Sequence, residues 1–254
     1  HRAGDFAQTV AIKRIAGARL SVAAARRLQH ERDILADLDH PNIVRLIDAG
    51  ADADGHPFLA LEYVDGETWD VYAARLNPNA EARLELFLQV CSAVAYGHQR
   101  LLVHRDIKPC NLVISRAGVP KLLDYGIAKL IDADFSTLTR EYGSSLTPAY
   151  AAPEQLRGEA ITTATDLHGL GLLLYETMAG AHPFRQPEQS AQALRDALCT
   201  RPPPSLSRQA LRVAMPTAWM QDLDRVLAKA LQKDASQRYA SVQELAEDLR
   251  AILA

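Results

Sequence analysis

Sulfur is scarce in this chain: Cys91, Cys110 and Cys199 are the only cysteines in 254 residues, odd in number and far apart. Their spacing gives no disulfide framework and no metal-binding pattern, so reduced thiols in a cytoplasmic compartment are the expectation. Long apolar runs are missing too. The longest compact one, Leu170-Gly171-Leu172-Leu173-Leu174-Tyr175, is far too short for a membrane helix, and no signal-peptide pattern is visible. Neither charge dominates: 28 Lys and Arg against 31 Asp and Glu leave −3, which argues against a nucleic-acid surface or a polybasic membrane anchor. What is present is 48% hydrophobic residues, enough for a sizeable core in one large domain or two modest lobes.

The chemistry concentrates in His104-Arg105-Asp106-Ile107-Lys108-Pro109-Cys110-Asn111, followed by Asp124-Tyr125-Gly126. Phosphoryl transfer asks a site mainly to place an acceptor hydroxyl and to neutralise charge on phosphate oxygens. Asp106 suits orienting and deprotonating the hydroxyl, and Lys108 suits meeting the moving phosphate as a point charge. Asn111 and Asp124 offer hard oxygen ligands of the kind magnesium takes.

With Val10-Ala11-Ile12-Lys13 before them and Ala152-Pro153-Glu154 after, these residues make the chain resemble the eukaryotic-like serine/threonine protein kinases of bacteria, over nearly its whole length. The resemblance implies an α+β, bilobal fold. A small lobe, residues 1–64, would hold a sheet and one regulatory helix, and a mainly helical lobe would cover 65–254. It implies ATP and Mg2+ as cofactors, with Mn2+ as an alternative. A protein Ser/Thr hydroxyl would be the substrate, and a homodimer would serve trans-autophosphorylation.

Taken in order, residues 9–15 alternate as a strand, which places Ala11 and Lys13 on one face. By resemblance Ala11 roofs the adenine and Lys13 holds the α- and β-phosphates. The stretch 21–38 reads as a helix with Leu28, Leu35 and Leu38 on its apolar face, and Glu31 on the same stripe must find a cation. Lys13 is the candidate, in an ion pair formed in the active arrangement. Strands are expected over 43–49 and 58–63, with a turn at 52–55. The resemblance makes Leu61 the gatekeeper of the adenine pocket, puts the backbone of Glu62 and Val64 on the adenine edge, and marks Asp65-Gly66 as the hinge. Val113, on one of two short strands flanking the catalytic loop (112–114 and 121–123), would floor the adenine site.

Leu84, Leu88, Cys91 and Ala95 recur at helical spacing, and His98 near the end of that helix reads as structural. Tyr125 stands where the family usually has phenylalanine. It should pack on the helix at 21–38, and a buried hydroxyl there needs a partner. Residues 127–150 resemble an activation segment, with Thr137 and Thr139 as phosphosites, Arg105 as the partner of the phosphate, and Thr147 bonding Asp106 and Lys108 in the substrate groove. Glu154 and Arg238 would form a structural ion pair, and Asp166 would accept N–H groups of the catalytic loop. A buried helix is expected over 165–179, and Ser241 with Glu244 forms a capping box for the last helix.

The front departs from the family pattern. Two strands joined by a glycine-rich loop should precede Val10, yet Gly4 is the only glycine among the nine residues there. The expectation is that the natural protein carries further residues ahead of His1. If it does not, nucleotide affinity falls, and the rival reading is a pseudokinase scaffold that binds partners without phosphorylating them. A small-molecule phosphotransferase is the third reading, opposed by Lys108 and by Ala152-Pro153-Glu154.

Overall fold

The structure, a computed structural model, describes residues 8–14, 38–53, 55–123, 125, 148–209, 211 and 213–254. Residues 21–37 of the expected helix with Glu31, and also Asp124, Thr137, Thr139 and Thr147, lie outside them. Among the described residues there are two three-stranded antiparallel sheets and a helical mass, two of whose helices are inserted between the first and second strands of the second sheet. The first sheet has β1 (Val10–Arg14), β2 (Leu46–Ala51) and β3 (Pro57–Glu62) in the order β1-β3-β2. Register sets Ala11 opposite Leu61 and Lys13 opposite Leu59.

The strand expected over 43–49 starts late. Ile43 makes only an isolated bridge to Leu122, and Ile43 and Val44 are 1% and 8% exposed. Apolar side chains that can bury against the rest of the molecule there gain more than by extending a small sheet. Residues 42–44 are thereby stapled to the second sheet: Val44 N–H donates to the Leu122 carbonyl at 3.0 Å, Leu122 N–H to that of Asn42 at 2.8 Å, and Asn42 Nδ2 to that of Pro120 at 2.9 Å.

The second sheet is β4 (Gly66–Thr68), β5 (Leu112–Ser115) and β6 (Pro120–Leu122). Gly66 begins β4. It pairs with Ser115, and a Cβ there would stand 2.2 Å from the Ile114 carbonyl oxygen, so only glycine lets the two backbones approach. Strand pairing changes from one sheet to the other between Glu62 and Gly66.

The described residues hold seven α-helices, the first two between β4 and β5 in the chain: α1 (Trp69–Leu76), α2 (Ala80–His98), α3 (Pro153–Arg157), α4 (Thr163–Ala179), α5 (Ala191–Thr200), α6 (Thr217–Ala230) and α7 (Val242–Leu253). Asn79 starts α2, its Oδ1 accepting from Ala82 N–H at 2.9 Å. Ser241 starts α7 by accepting from Glu244 N–H at 3.2 Å, and Glu244 reaches back to Ala240 N–H. Helix α4 begins two residues before the expected boundary, capped by Thr162. It is buried on nearly every side: Leu170, Leu172, Leu173 and Leu174 are each at most 1% exposed. A helix so enclosed can serve as the post on which the catalytic loop is hung. No described helix is long and apolar enough to cross a membrane.

Candidate active site

The catalytic loop, residues 104–111, is held from beneath by Asp166 of α4. One carboxylate oxygen accepts from Arg105 N–H at 2.7 Å; the other accepts from His104 N–H at 2.7 Å and from His98 Nε2 at 2.8 Å. Asp166 is 1% exposed, so these donors replace the water it has lost. They also secure Arg105 at φ 68, a left-handed conformation that a residue with a Cβ adopts only when its surroundings enforce it. From above, Gln155 Nε2 donates to the Arg105 carbonyl at 2.9 Å while its Oε1 accepts from Ala152 N–H at 2.9 Å. That carboxamide ties the start of α3 to the loop, and the sequence offered no sign of it beyond the residue's place after Glu154.

His104 adds a third support. Its Nδ1 accepts from Asp106 N–H at 3.3 Å, which makes Nε2 the protonated nitrogen that donates to the Leu123 carbonyl at 2.8 Å. The tautomer follows from those partners.

On this frame Asp106, Lys108 and Asn111 converge. Lys108 Nζ lies 2.9 Å from Asp106 Oδ2, and Asn111 Nδ2 donates to the same oxygen at 3.0 Å and to the Asp106 carbonyl at 2.8 Å. A single turn of 3-10 helix, Pro109–Asn111, sets the spacing. With Nδ2 so engaged, the Asn111 carboxamide keeps Oδ1, a hard oxygen, as its acceptor. Its contact there is a 3.9 Å approach by the Cys110 thiol. That arrangement fits a magnesium ligand. Burial raises the Cys110 thiol above its ordinary pKa despite the neighbouring Lys108, so the loop cysteine is no activated thiolate.

The residues predicted around the adenine sit on both sheets. Ala11 is exposed on β1, with Lys13 half-buried two positions on and Leu61 half-buried opposite Ala11. Val113 is half-buried on β5, facing Thr68 and Lys121 in register, and Val64 lies between the sheets in sequence. Glu62 has one backbone group engaged. Its N–H donates to the Arg45 carbonyl at 2.9 Å, so an adenine could meet its backbone only through the carbonyl. The Glu62 carboxylate is turned to Lys121 Nζ at 3.0 Å.

Tyr125 finds a partner for its buried hydroxyl on α2, while residues 21–37 of the helix expected to meet it lie outside the described residues. Its hydroxyl donates to the Ala93 carbonyl of α2 at 2.6 Å, and its ring tilts against that of His104 with centroids 5.0 Å apart.

Glu154 and Arg238 meet through two bonds, at 2.7 and 2.8 Å. Burial pushes the Glu154 carboxyl up, but the Arg238 bonds outweigh it and hold the carboxyl below its ordinary range.

Two sheets, a helical mass hung on α4 and a loop presenting an aspartate, a lysine and an asparagine around one point define a kinase-type phosphotransferase fold, and the chain belongs to the protein kinase domain family, whose profile matches residues 3–249. Among its relatives is the probable serine/threonine-protein kinase PknB of Bifidobacterium longum, 34% identical over 232 residues, which are 88% of this chain and 32% of that protein. PknB of Mycobacterium tuberculosis is 33% identical over 227 residues, 88% of this chain and 35% of that protein. PrkC of Bacillus subtilis is 32% identical over 226 residues, 89% and 33% of the two chains. The chain thus spans about a third of the length of these curated relatives. The crystal structure of Rad53 in complex with AMP-PNP shares the fold, with a TM-score of 0.68 at 23% identity over 86% of this chain and 53% of that one.

Proposed function

We propose that this chain is the catalytic domain of a protein serine/threonine kinase, transferring the ATP γ-phosphoryl group to a protein hydroxyl. The observation that carries the reading is the convergence of Lys108 and Asn111 on one oxygen of Asp106. A carboxylate fixed this way is preorganised as the proton acceptor for an incoming Ser or Thr hydroxyl, with no reorganisation left to the moment of transfer. Lys108, 10% exposed at its side chain, would then neutralise charge on the phosphoryl oxygens from a partly dry position. Asn111 and Asp124 would hold magnesium, which when bound supplies Lewis-acid neutralisation of the phosphate oxygens.

Lys13 is assigned to the α- and β-phosphates, paired with Glu31. Ala11 and Val113 are assigned to the two faces of the adenine, and Leu61, Glu62 and Val64 to its edge. The lobes divide after residue 64. Phosphate on Thr137 or Thr139, placed by a second copy of the chain, would pair with Arg105, and Thr147 would line the substrate groove. A cytoplasmic location accords with the three free thiols.

The test is transfer of labelled phosphate from ATP to a generic basic protein and to the chain itself, with magnesium, alongside a thermal-shift titration with ATP. Transfer by the wild type that Asp106→Ala reduces at least 100-fold, with the magnesium-dependent thermal shift kept, is the expected result. A shift without transfer in the wild type would establish the scaffold instead.

A further inference from the structure

Gln155 stands at the third position of α3, where the side chain of a glutamine or a glutamate can reach back to the N–H of the residue that starts the helix. Its Oε1 does so, accepting from Ala152 N–H at 2.9 Å. A glutamate would serve as well there, and the helix N-terminus would favour its charge. What a glutamate lacks is the other half of the carboxamide, whose Nε2 donates to the Arg105 carbonyl at 2.9 Å. A backbone N–H only donates and a backbone carbonyl only accepts, so the two partners fix which end of the amide is which.

The Arg105 carbonyl belongs to the peptide group that leads into Asp106. The N–H of that same group, on Asp106, donates to His104 Nδ1 at 3.3 Å. The plane from which the Asp106 side chain hangs is thus gripped at both of its polar atoms, and the bond from Gln155 is the shorter. Asp166 holds the N–H groups of the two peptides before it. The far end of the bridge is firm as well, because the neighbouring Glu154 is locked to Arg238 at 2.7 and 2.8 Å. We propose that Gln155 is a positioning residue, whose carboxamide sets the tilt of the peptide before Asp106 and so aims the carboxylate at the incoming hydroxyl. Transfer then depends on how the chain enters α3, some fifty positions from the loop it serves. The inference rests on the reading of Asp106 as the proton acceptor.

Steady-state transfer from ATP to a generic basic protein by the full chain tests it, together with melting temperature and the thermal shift by ATP. Gln155→Glu keeps the length and the acceptor and loses only the donor. It should lower kcat roughly tenfold or more while the KM for ATP stays within about twofold and the melting temperature does not fall. Gln155→Met keeps the length and loses both groups, and it should show the same fall in kcat with a lower melting temperature besides. A Gln155→Glu variant with wild-type kcat overturns the bridge, even where Gln155→Met is impaired, because the acceptor half alone would then account for the residue. A fall in kcat matched by an equal loss of the ATP shift in both variants assigns Gln155 to general stability and overturns it too. A wild type that binds ATP and transfers nothing refutes the reading of Asp106 together with the bridge; an active wild type that Gln155→Glu leaves unchanged refutes the bridge alone.

Discussion

Arg238 grips Glu154 end-on across 84 positions of chain, two guanidinium nitrogens to two carboxylate oxygens at 2.7 and 2.8 Å. Neither side chain is more than 5% exposed. Thr165 Oγ1 donates to Glu154 at 2.8 Å, and the carbonyls of Ala164 and Gln232 accept from Arg238 at 2.7 and 2.9 Å, so α3, α4 and the segment before α7 meet at one point.

Removing one partner alone strands the other in the interior, and Arg238→Ala should cost ~3–5 kcal/mol, read as a loss of unfolding free energy in urea. The carboxyl is held below its ordinary value, so its contribution is complete above the unfolded pKa near 4.5 and is lost as pH falls through the folded one. Glu154→Gln should therefore flatten the acid limb of the stability curve; an acid limb identical to that of the wild type would refute this.

Asp166 is the second point to probe. Asp166→Ala would orphan the N–H groups of His104 and Arg105, at roughly 1–3 kcal/mol each, and would release the left-handed Arg105. The expected outcome is a protein less stable by that amount whose transfer rate falls far more than its nucleotide affinity. Equal losses in both would assign Asp166 to general stability.

A third prediction concerns acid. His168 is wholly buried in α4, with no hydrogen-bond partner for either ring nitrogen among the described residues. Burial, reinforced by Arg238, Lys233 and His182, holds it well below its ordinary 6.5. Burial likewise brings His182 down to about 4, against the bond to the Ala149 carbonyl that favours the charged form. The unfolded chain takes up these protons near pH 6.5 and the folded chain does not, so stability falls as pH drops below that point, by up to about 1.4 kcal/mol per pH unit for each imidazole. Urea midpoints from pH 7.5 to 5 should decline, and His168→Leu should make the slope shallower. An unchanged slope would mean that His168 is protonated in the fold.

Much of the site was legible because its residues are close in sequence. Asp106, Lys108 and Asn111 lie within six positions, and a loop that short keeps them together. Glu154 and Arg238 could be paired only through the family resemblance, since periodicity says nothing about contacts 84 positions apart. Helix α1 went unread: with eight residues and an apolar face interrupted by Asp70, it gives no clear period. The close packing at Gly66 was not legible, because a missing side chain in sequence does not say which backbone approaches it. Tyr125 was rightly expected to need a hydroxyl partner, but only coordinates could say that Gly97 opens the space for it. Gln155 illustrates the general limit, because a carboxamide that bridges two backbones looks in sequence like any polar surface residue.

The staple between residues 42–44 and β6 has a mechanical consequence. Among the described residues the two sheets are joined covalently through residues 63–65, through the hydrogen bonds of Asn42 and Val44 with Pro120 and Leu122, and through Lys121 of β6, whose Nζ lies 3.0 Å from Glu62 of β3. Bodies fastened at separated points lose freedom to turn over one another. Cutting one fastening, as Asn42→Ala would, should widen the rocking of the small sheet.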